Sequence, residues 1–438
     1  MTTVLLIGEG RLADATERAL DAGGAEVERL HEPTDREIRE ALDEEVDQVV
    51  VVSRYDHMSL RLALVVAHVS PGTPLVVTVF DHNVAAHLER SVETVKVLSM
   101  GDVVAPAFAG PCLNPELVSL SRSPSGPEGV RAVDGEPQHV PLGWSRPGRA
   151  RRLLATLEGL VVPFDSSARI LVAGLMGVLG VLALETAVTM IESGLSFVDA
   201  LYSVAKVTVT AGPSKAAEQG TTWFKLFSTV AMLLTLGFSA VFTAGLVNRL
   251  LDKRLTGIVG ASAVPRHDHV IVVGLGQIGL RLCGLLRDLG VPVVAVEAND
   301  NAKNVTRAKE QRLPVVIGSG SSQRLLRRLA VRRALAVAAV TSDEVENIAI
   351  AVAARGIRDD LTIAFRAGDG DFTTEIRSLF AIGIVRDIYR IAGTALAAVA
   401  LGHEAREAFP YEGTLYLVGD GGDIEPFVPA RDTSSASA

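Results

Sequence analysis

Six residues, Gly274, Leu275, Gly276, Gln277, Ile278 and Gly279, follow the apolar run His269 to Val273 and open a helix-like stretch. The next apolar run, "VPVVAVE", ends on an acid, Glu297. Strand, glycine loop, helix, strand and acid in this order suit a dinucleotide. The first glycine permits a tight turn. The second lets backbone approach a pyrophosphate, and the third allows close helix–strand packing. Free N–H groups at the helix start attract phosphate, and the acid accepts from ribose hydroxyls. The expected ligand is NAD(H) or another adenine nucleotide, with NAD(H) preferred over NADP(H). The competing reading is the same fold with an empty cleft.

A second stretch with chemical content is "VTVTAGPSKAAEQG", Val207 to Gly220. It lies between two apolar runs of 22 residues, Ile170 to Ile191 and Leu226 to Val247. A helix of that length rises about 33 Å, enough to cross a bilayer core of about 30 Å. Before the polar stretch, "SFVDALYSVAKVTV" is apolar enough to enter the membrane as a short helix without crossing it. Such a helix aims its negative end, and the carbonyls that follow, at a common axis, which suits cations. The candidate ion path is Thr208, Val209, Thr210, Ala211, Gly212, Pro213 and Ser214. The alternative is a plain external loop joining two anchors.

Arg146, Arg149, Arg151, Arg152 and Arg169 precede the first span, and Arg249, Lys253 and Arg254 follow the second. Charge between the spans is mixed. The positive-inside rule therefore puts both termini in the cytosol, with the chain in the plasma (inner) membrane. Residues 150–165 read equally well as an interfacial helix or an ordinary cytosolic one. Glu185 is the one charge within the first span, and a carboxylate there is costly unless paired, hydrated or protonated. It reads either as a polar contact between helices or as a gating group. Gly237 and Gly245 in the second span are candidate hinges.

The remaining composition narrows the class. The 438 residues carry a net charge of −9, and no domain-wide basic patch argues for nucleic acid. The mean hydropathy of +0.32 is high for a soluble chain. Cys112 and Cys283 read as two buried small hydrophobes. His267 and His269 have no Cys or acid cluster at ligand spacing, so no metal site is expected. The opening "MTTVLLIGEG" reads as strand and turn rather than a secretory signal.

The dinucleotide motif has an echo. "TTVLLIGEGRLADATERAL" repeats it, with Gly8, Gly10 and Ala13 at the glycine positions. The offset is 266 residues at Gly8/Gly274 and 288 at Ser53/Thr341, so the first copy is about 22 residues shorter, roughly one helix–strand unit. It lacks a clear acid after its second strand, though Glu28 and Glu32 are nearby, and its site reads as degenerate. The expected architecture is two doubly wound, Rossmann-like α/β domains and an α-helical two-span membrane module. The layout is 1–120 for the first α/β domain, 121–149 for a flexible Pro/Gly-rich linker, and 150–254 for the membrane module. The second α/β domain follows at 265–402, then a small extension and disordered tail at 403–438.

Span, short helix, "TVTAG" and second span resemble the pore module of the potassium-channel superfamily. That family's filter reads TVGYG and then usually Asp; here Thr210, Ala211, Gly212, Pro213, Ser214 and Lys215 stand at those positions. Castor/Pollux-type channels show a loosely similar loss. The α/β copies resemble the regulator-of-conductance (RCK, or TrkA N-terminal) domain, through "VIVVGLGQIGLRL", Glu297 and "AAVTSDEVENIAIAVAAR". That family usually has Gly-Asp after its third strand, where this chain has Gly318-Ser319. The resemblance implies a homotetramer with paired RCK domains, which binds an adenine nucleotide in the cytosol and passes a monovalent cation through a lipid membrane.

The leading expectation is thus a nucleotide-gated, potassium-like cation channel with no catalytic residues. One rival is a non-conducting membrane sensor or a regulatory subunit of an ion transporter. The other is an NAD-dependent oxidoreductase, which needs a proton-transfer group. No His, Lys or Tyr constellation in the sequence supplies one.

Overall fold

Strands rich in Val, Ile and Leu alternate with helices at both ends of the chain, and buried parallel strands read in this continuous way. The computed structural model describes residues 2–123, 126–142, 166–208, 220–251, 264–368 and 383–428. The chain divides into two compact units, one of Met1–Arg149 with Pro265–Ala438 and one of Ala150–Val264.

The first unit holds both α/β copies, here called the N and C lobes. In the N lobe come β1 (Thr3–Gly8), α1 (Gly10–Ala22), β2 (Glu26–Leu30), α2 (Asp35–Leu42) and β3 (Gln48–Val52). They continue with α3 (Asp56–Val69), β4 (Leu75–Thr78), α4 (His82–Ser91), β5 (Val95–Leu98) and α5 (Met100–Leu113). The sheet order is β2-β1-β3-β4-β5, all parallel. A three-stranded antiparallel sheet follows: β6 (Leu117–Ser123), β7 (Gly126–Val133) and β8 (Glu136–Val140).

This small sheet corrects the expected linker at 121–149, since residues 121–123, 126–133 and 136–140 pair as strands. The β7–β8 turn is Asp134-Gly135, and both have positive φ, 54° and 87°. Asp-Gly with that geometry is a favoured hairpin turn. Pro137 sits on the edge strand β8, where a missing N–H costs no ladder bond. Of the prolines that suggested a tether, Pro137 thus lies on an edge strand and Pro127 near the start of the central β7, while Pro124 and Pro147 lie outside the described residues.

Among the described residues, the second unit has three helices. They are α6 (Ser166–Ser193), α7 (Phe197–Thr208) and α8 (Thr222–Leu251). Apolar windows Ile170–Ser193 and Thr222–Val247 are long enough to cross a membrane. Helix α7 has 12 residues and a length of about 18 Å, too short to cross. Ser196 starts it, since its Oγ accepts from Asp199 N at 3.3 Å and donates to the Asp199 carboxylate at 2.7 Å. Helices α6 and α8 approach closely at small residues. A Cβ on Gly177 would lie 2.3 Å from the Phe238 ring, and one on Gly174 would lie 2.6 Å from Phe242 backbone.

The C lobe runs β9 (Val270–Val273), α9 (Gln277–Asp288), β10 (Val293–Glu297), α10 (Lys303–Glu310), β11 (Val315–Ile317) and α11 (Gln323–Arg328). Then come β12 (Ala336–Ala339), α12 (Glu344–Arg355), β13 (Thr362–Arg366), β14 (Ile384–Arg386) and α13 (Ile388–Ala400). Its sheet order is β11-β10-β9-β12-β13-β14. Matched against the N lobe, the extra strand is β11, which accounts for the 22-residue difference between copies. The segment expected to be a small extension is a second antiparallel sheet, β15 (Glu407–Tyr411), β16 (Thr414–Val418) and β17 (Ile424–Pro426). The duplication therefore includes the small sheets as well.

The two lobes share one core. Phe108 and Val104 of α5, Leu282 and Cys283 of α9, and Leu396 of α13 belong to a single buried cluster. Helix α1 packs on α13, where a Cβ on Gly393 would lie 2.8 Å from Ala15. Both Cys112 and Cys283 are buried and free, as expected. Burial pushes the Cys112 thiol up to about 12 and the Cys283 thiol higher still.

Candidate functional site

The glycine loop of the C lobe joins β9 to α9. Gly274 has φ 96°, and a Cβ there would lie 2.8 Å from Thr341 backbone. A Cβ on Gly279 would lie 1.9 Å from the Gly274 carbonyl oxygen. Both positions therefore demand glycine, one for its turn and one for helix–strand contact. A Cβ on Gly276 would meet nothing within 4 Å. The chain thus leaves room at the one glycine that a pyrophosphate approaches. Leu275 and Ile278 are buried, whereas Gly276 and Gln277 reach the cleft surface.

Glu297 ends β10 beside this loop. One carboxylate oxygen accepts from Leu275 N at 2.9 Å, and the other accepts from Asn299 N at 3.1 Å. The structure thus brings the predicted acid to the predicted loop. Across the cleft, buried Asn347 accepts from Thr341 N at 2.9 Å and donates to the carbonyls of Thr341 and Arg366. Asp343 caps α12 by accepting from Val345 and Glu346 N–H groups. Gly318 lines the same cleft, while Ser319 shares a 2.8 Å hydroxyl contact with Ser321.

The N-lobe counterpart is built differently. A Cβ on Gly8 would lie 2.3 Å from the Val52 carbonyl oxygen, so the tight turn is retained. The pairing Ile7↔Leu30, continued by one residue, sets His31 where the C lobe has Glu297. Arg29 donates to the Gly8 carbonyl at 3.2 Å and pairs with Asp14 at 2.8 Å and Glu17 at 2.6 Å. Neither Glu28 nor Glu32 hydrogen-bonds the loop among the described residues. A guanidinium stands beside the N-lobe loop where a carboxylate stands beside that of the C lobe.

Both loops open on one cleft of about 1240 Å³, lined by Gly10, Arg11, Arg54 and Tyr55 from the N lobe and by Gly276, Glu297, Arg366 and Tyr389 from the C lobe. Three ion pairs cross between lobes: Arg11 with Glu344, Asp81 with Arg307, and Asp102 with Arg281. The Asn83 N–H first, and then Arg307, hold the Asp81 carboxyl below its usual range. None of these cross-lobe partners was predicted, because only the docking of one copy on the other makes them neighbours. The one available signal was the repeat itself.

In the helical unit, Glu185 is 5% exposed, and Thr186 and Thr189 of the same helix are buried too. Among the described residues it makes no hydrogen bond. A Cβ on Gly245 would lie 2.8 Å from Leu171 backbone, whereas one on Gly237 would meet nothing within 4 Å. Thr208 ends α7. Val209, Thr210, Ala211, Gly212, Pro213 and Ser214 lie outside the described residues, as do the 150–165 segment and the tail from 429 onward.

The first unit is therefore a pair of Rossmann-like α/β domains whose glycine loops share one cleft, in a chain that also carries two span-length helices. Residues 270–387 match the TrkA-N domain. Potassium channel protein 1 of Methanocaldococcus jannaschii is 20% identical over 137 residues, covering 31% of this chain and 40% of that one. The match spans about two fifths of that relative. The solved GsuK channel matches with a TM-score of 0.50 at 14% identity, covering 91% of this chain and 64% of that one. The GsuK channel bound to NAD matches with a TM-score of 0.49 at 15% identity, with the same coverage. The TrkA-N domain of inner membrane protein ybaL from Escherichia coli matches with a TM-score of 0.25 at 21% identity, covering 28% of this chain and 87% of that one. The C lobe is a TrkA-N/RCK-type domain, and the chain is similar to potassium-channel RCK proteins.

Proposed function

We propose that this protein is a membrane cation channel whose cytosolic RCK lobes bind an adenine dinucleotide, NAD(H) first, in the C-lobe groove. The observation that carries the reading is the pairing, in one chain, of that groove with two span-length helices separated by an 18 Å-class helix that cannot span. Gly274, Gly276, Gly279 and Glu297 would hold pyrophosphate and ribose. The loop from Thr208 to Ser214 would line the ion path. Four subunits would surround the axis, with both termini in the cytosol. Ligand would bias the lobe pair between two shapes, and α8 would carry the change to the pore, bending at open Gly237. The N lobe would serve as a docking partner rather than a second dinucleotide site, since Arg29 stands beside its loop.

Ion flux through purified protein in liposomes tests this, with potassium, sodium and calcium compared, with and without NAD(H). Flux that disappears when Thr210 and Gly212 are altered is the expected result. No flux under any ligand, from folded tetrameric protein, would sink the channel reading. It would favour a non-conducting nucleotide sensor or regulatory subunit, for which Pro213 and Lys215 in the filter stretch speak. Nicotinamide absorbance that stays constant with candidate substrates separates both readings from an oxidoreductase.

A further inference from the structure

The two lobes differ in charge at the amino ends of their strands, the end opposite the glycine-loop cleft. Residues 311–342 of the C lobe hold six arginines and no Asp or Glu, in a chain whose net charge is −9. This stretch contains β11, α11 and a 3₁₀ turn, Val331–Arg333, that leads into β12. Ala330 ends α11 in a left-handed conformation, φ 54°. Leu326, Leu329 and Val331 are buried, so Arg327, Arg332 and Arg333 turn outward and are exposed. No acid pairs with these three among the described residues. Arg327 approaches the Gln323 side-chain oxygen at 3.5 Å, and Arg333 lies 3.1 Å from His267 Nε2. Arg312 and Arg328 have partners of their own.

The N lobe presents the opposite sign at the matching place. Strand β3 neighbours β1 as β12 neighbours β9. The approach to β3 reads Asp43, Glu44, Glu45, Val46 and Asp47, and its four acids are exposed. Asp47 accepts from Thr3 N at 2.8 Å. The arginines accompany β11, the strand that the N lobe lacks. The same end of the C lobe receives the chain from α8. There Asp268 N donates to the Arg333 carbonyl at 3.0 Å, and Leu335 N to that of His269 at 2.7 Å. His267 follows Leu251, the last residue of α8, by 16 positions. A chain of that length reaches no more than about 55 Å. Lys253 and Arg254 lie on the connection.

We propose that Arg327, Arg332 and Arg333 form a docking surface for anionic lipid headgroups on the cytosolic face of the membrane. The inference rests on the reading of α6 and α8 as membrane spans. Guanidinium forks match phosphodiester oxygens, and each basic side chain near an anionic bilayer strengthens binding about fivefold. Three such contacts hold a free protein weakly, but a short tether to the spans supplies a high effective concentration of lipid. The acids before β3 are repelled by the same surface, so the charge contrast selects the C lobe for docking. The cleft, at the other end of the strands, stays open to ligand.

Energy transfer from the full-length protein to lipid tests the surface. Cys112 and Cys283 are buried, so Gln311→Cys, at an exposed position shortly before β11, takes a thiol-reactive donor dye selectively. The labelled protein is reconstituted in vesicles of phosphatidylcholine, alone or with added phosphatidylglycerol, and the same share of acceptor-labelled lipid. Transfer should be higher in the anionic vesicles and should fall as salt shortens the screening length. Combining Arg327→Gln, Arg332→Gln and Arg333→Gln should return it to the neutral-vesicle level, a loss of about a hundredfold in the docking equilibrium. All three side chains are exposed, so the melting temperature should stay unchanged. Equal transfer in both vesicles overturns the proposal, and so does an anionic enhancement that the triple variant keeps. Protein that an alkaline carbonate wash strips from the vesicles would instead sink the spanning reading, and with it the tether on which this surface depends.

Discussion

Arg386 donates its Nε–H to the carbonyl oxygen of Ala107 at 3.1 Å, across the seam between the lobes. Ala107 lies four residues before Pro111 inside α5. Proline has no N–H, so the helix itself cannot satisfy that carbonyl. Arg386 also donates to the Val118 carbonyl at 3.0 Å, so one guanidinium serves two acceptors of the other lobe. Arg386→Met should lower stability by about 1.5–3 kcal/mol, the cost of losing a charged donor to a buried carbonyl. Restoring an N–H with Pro111→Ala should shrink that cost, and a double-mutant cycle in urea measures the coupling. Additive losses would remove the link between the proline and the arginine.

The glycine loop makes a contrast between its members. Gly274→Ala forces a Cβ to within 2.8 Å of Thr341 backbone at φ 96°, so it should destabilise the protein by at least about 1–3 kcal/mol. Gly276→Ala meets open space in the unliganded protein and should leave the melting temperature unchanged while weakening NAD(H). Glu297→Ala should weaken NAD(H) about tenfold or more, and the preference for NAD(H) over NADP(H) should narrow. Fluorescence titration beside thermal melts separates the two kinds of effect. Equal NAD(H) affinity in the natural protein and Glu297→Ala would count against the groove.

His269 supplies a pH dependence. It is fully buried just before β9, and its Nε2 lies 2.9 Å from the Leu329 carbonyl oxygen. Burial lowers its pKa from 6.5 to about 4. The folded state therefore resists a proton that the unfolded chain takes up. Its contribution is present above pH 6.5 and is lost as pH falls toward 4, on the order of 3 kcal/mol across the window. His269→Gln keeps a donor but does not titrate. Urea midpoints at pH 7.5 and 4.5 should fall further for the natural protein than for the variant, and parallel falls would exclude His269 as the cause.

Two glycines of α8 should behave oppositely. Gly245→Ala drives a Cβ to 2.8 Å from Leu171 backbone and should loosen the α6–α8 hairpin. Gly237→Ala has room, so the protein should fold normally. If α8 bends at Gly237, that variant alters ligand-dependent flux without altering the melting temperature. Flux identical to the natural protein would place the bend elsewhere.

Local sequence settled a good deal. Gly274, Gly276 and Gly279 with Glu297 announced the C-lobe loop, because a phosphate-sized turn admits few residue types at those positions. The 22-residue runs announced the long helices, because helix length against bilayer thickness depends on composition alone. The 22-residue shortfall of the first copy announced a missing helix–strand unit, and the missing strand is β11. The small sheets were harder to read. Pro and Ser around Gly135 resemble a tether, and only strand pairing shows that Pro137 occupies an edge.

The cleft itself belongs to tertiary structure. Arg11 and Glu344 are 333 residues apart in sequence, and Arg29 and Gly8 carry no motif that marks one lobe as altered. Sequence determined which residues each lobe could turn toward a ligand, through local backbone geometry and side-chain chemistry. The docking of α1 on α13 and α5 on α9 decided which of them meet, because burial of a shared apolar core, not any local pattern, chooses the faces that come together.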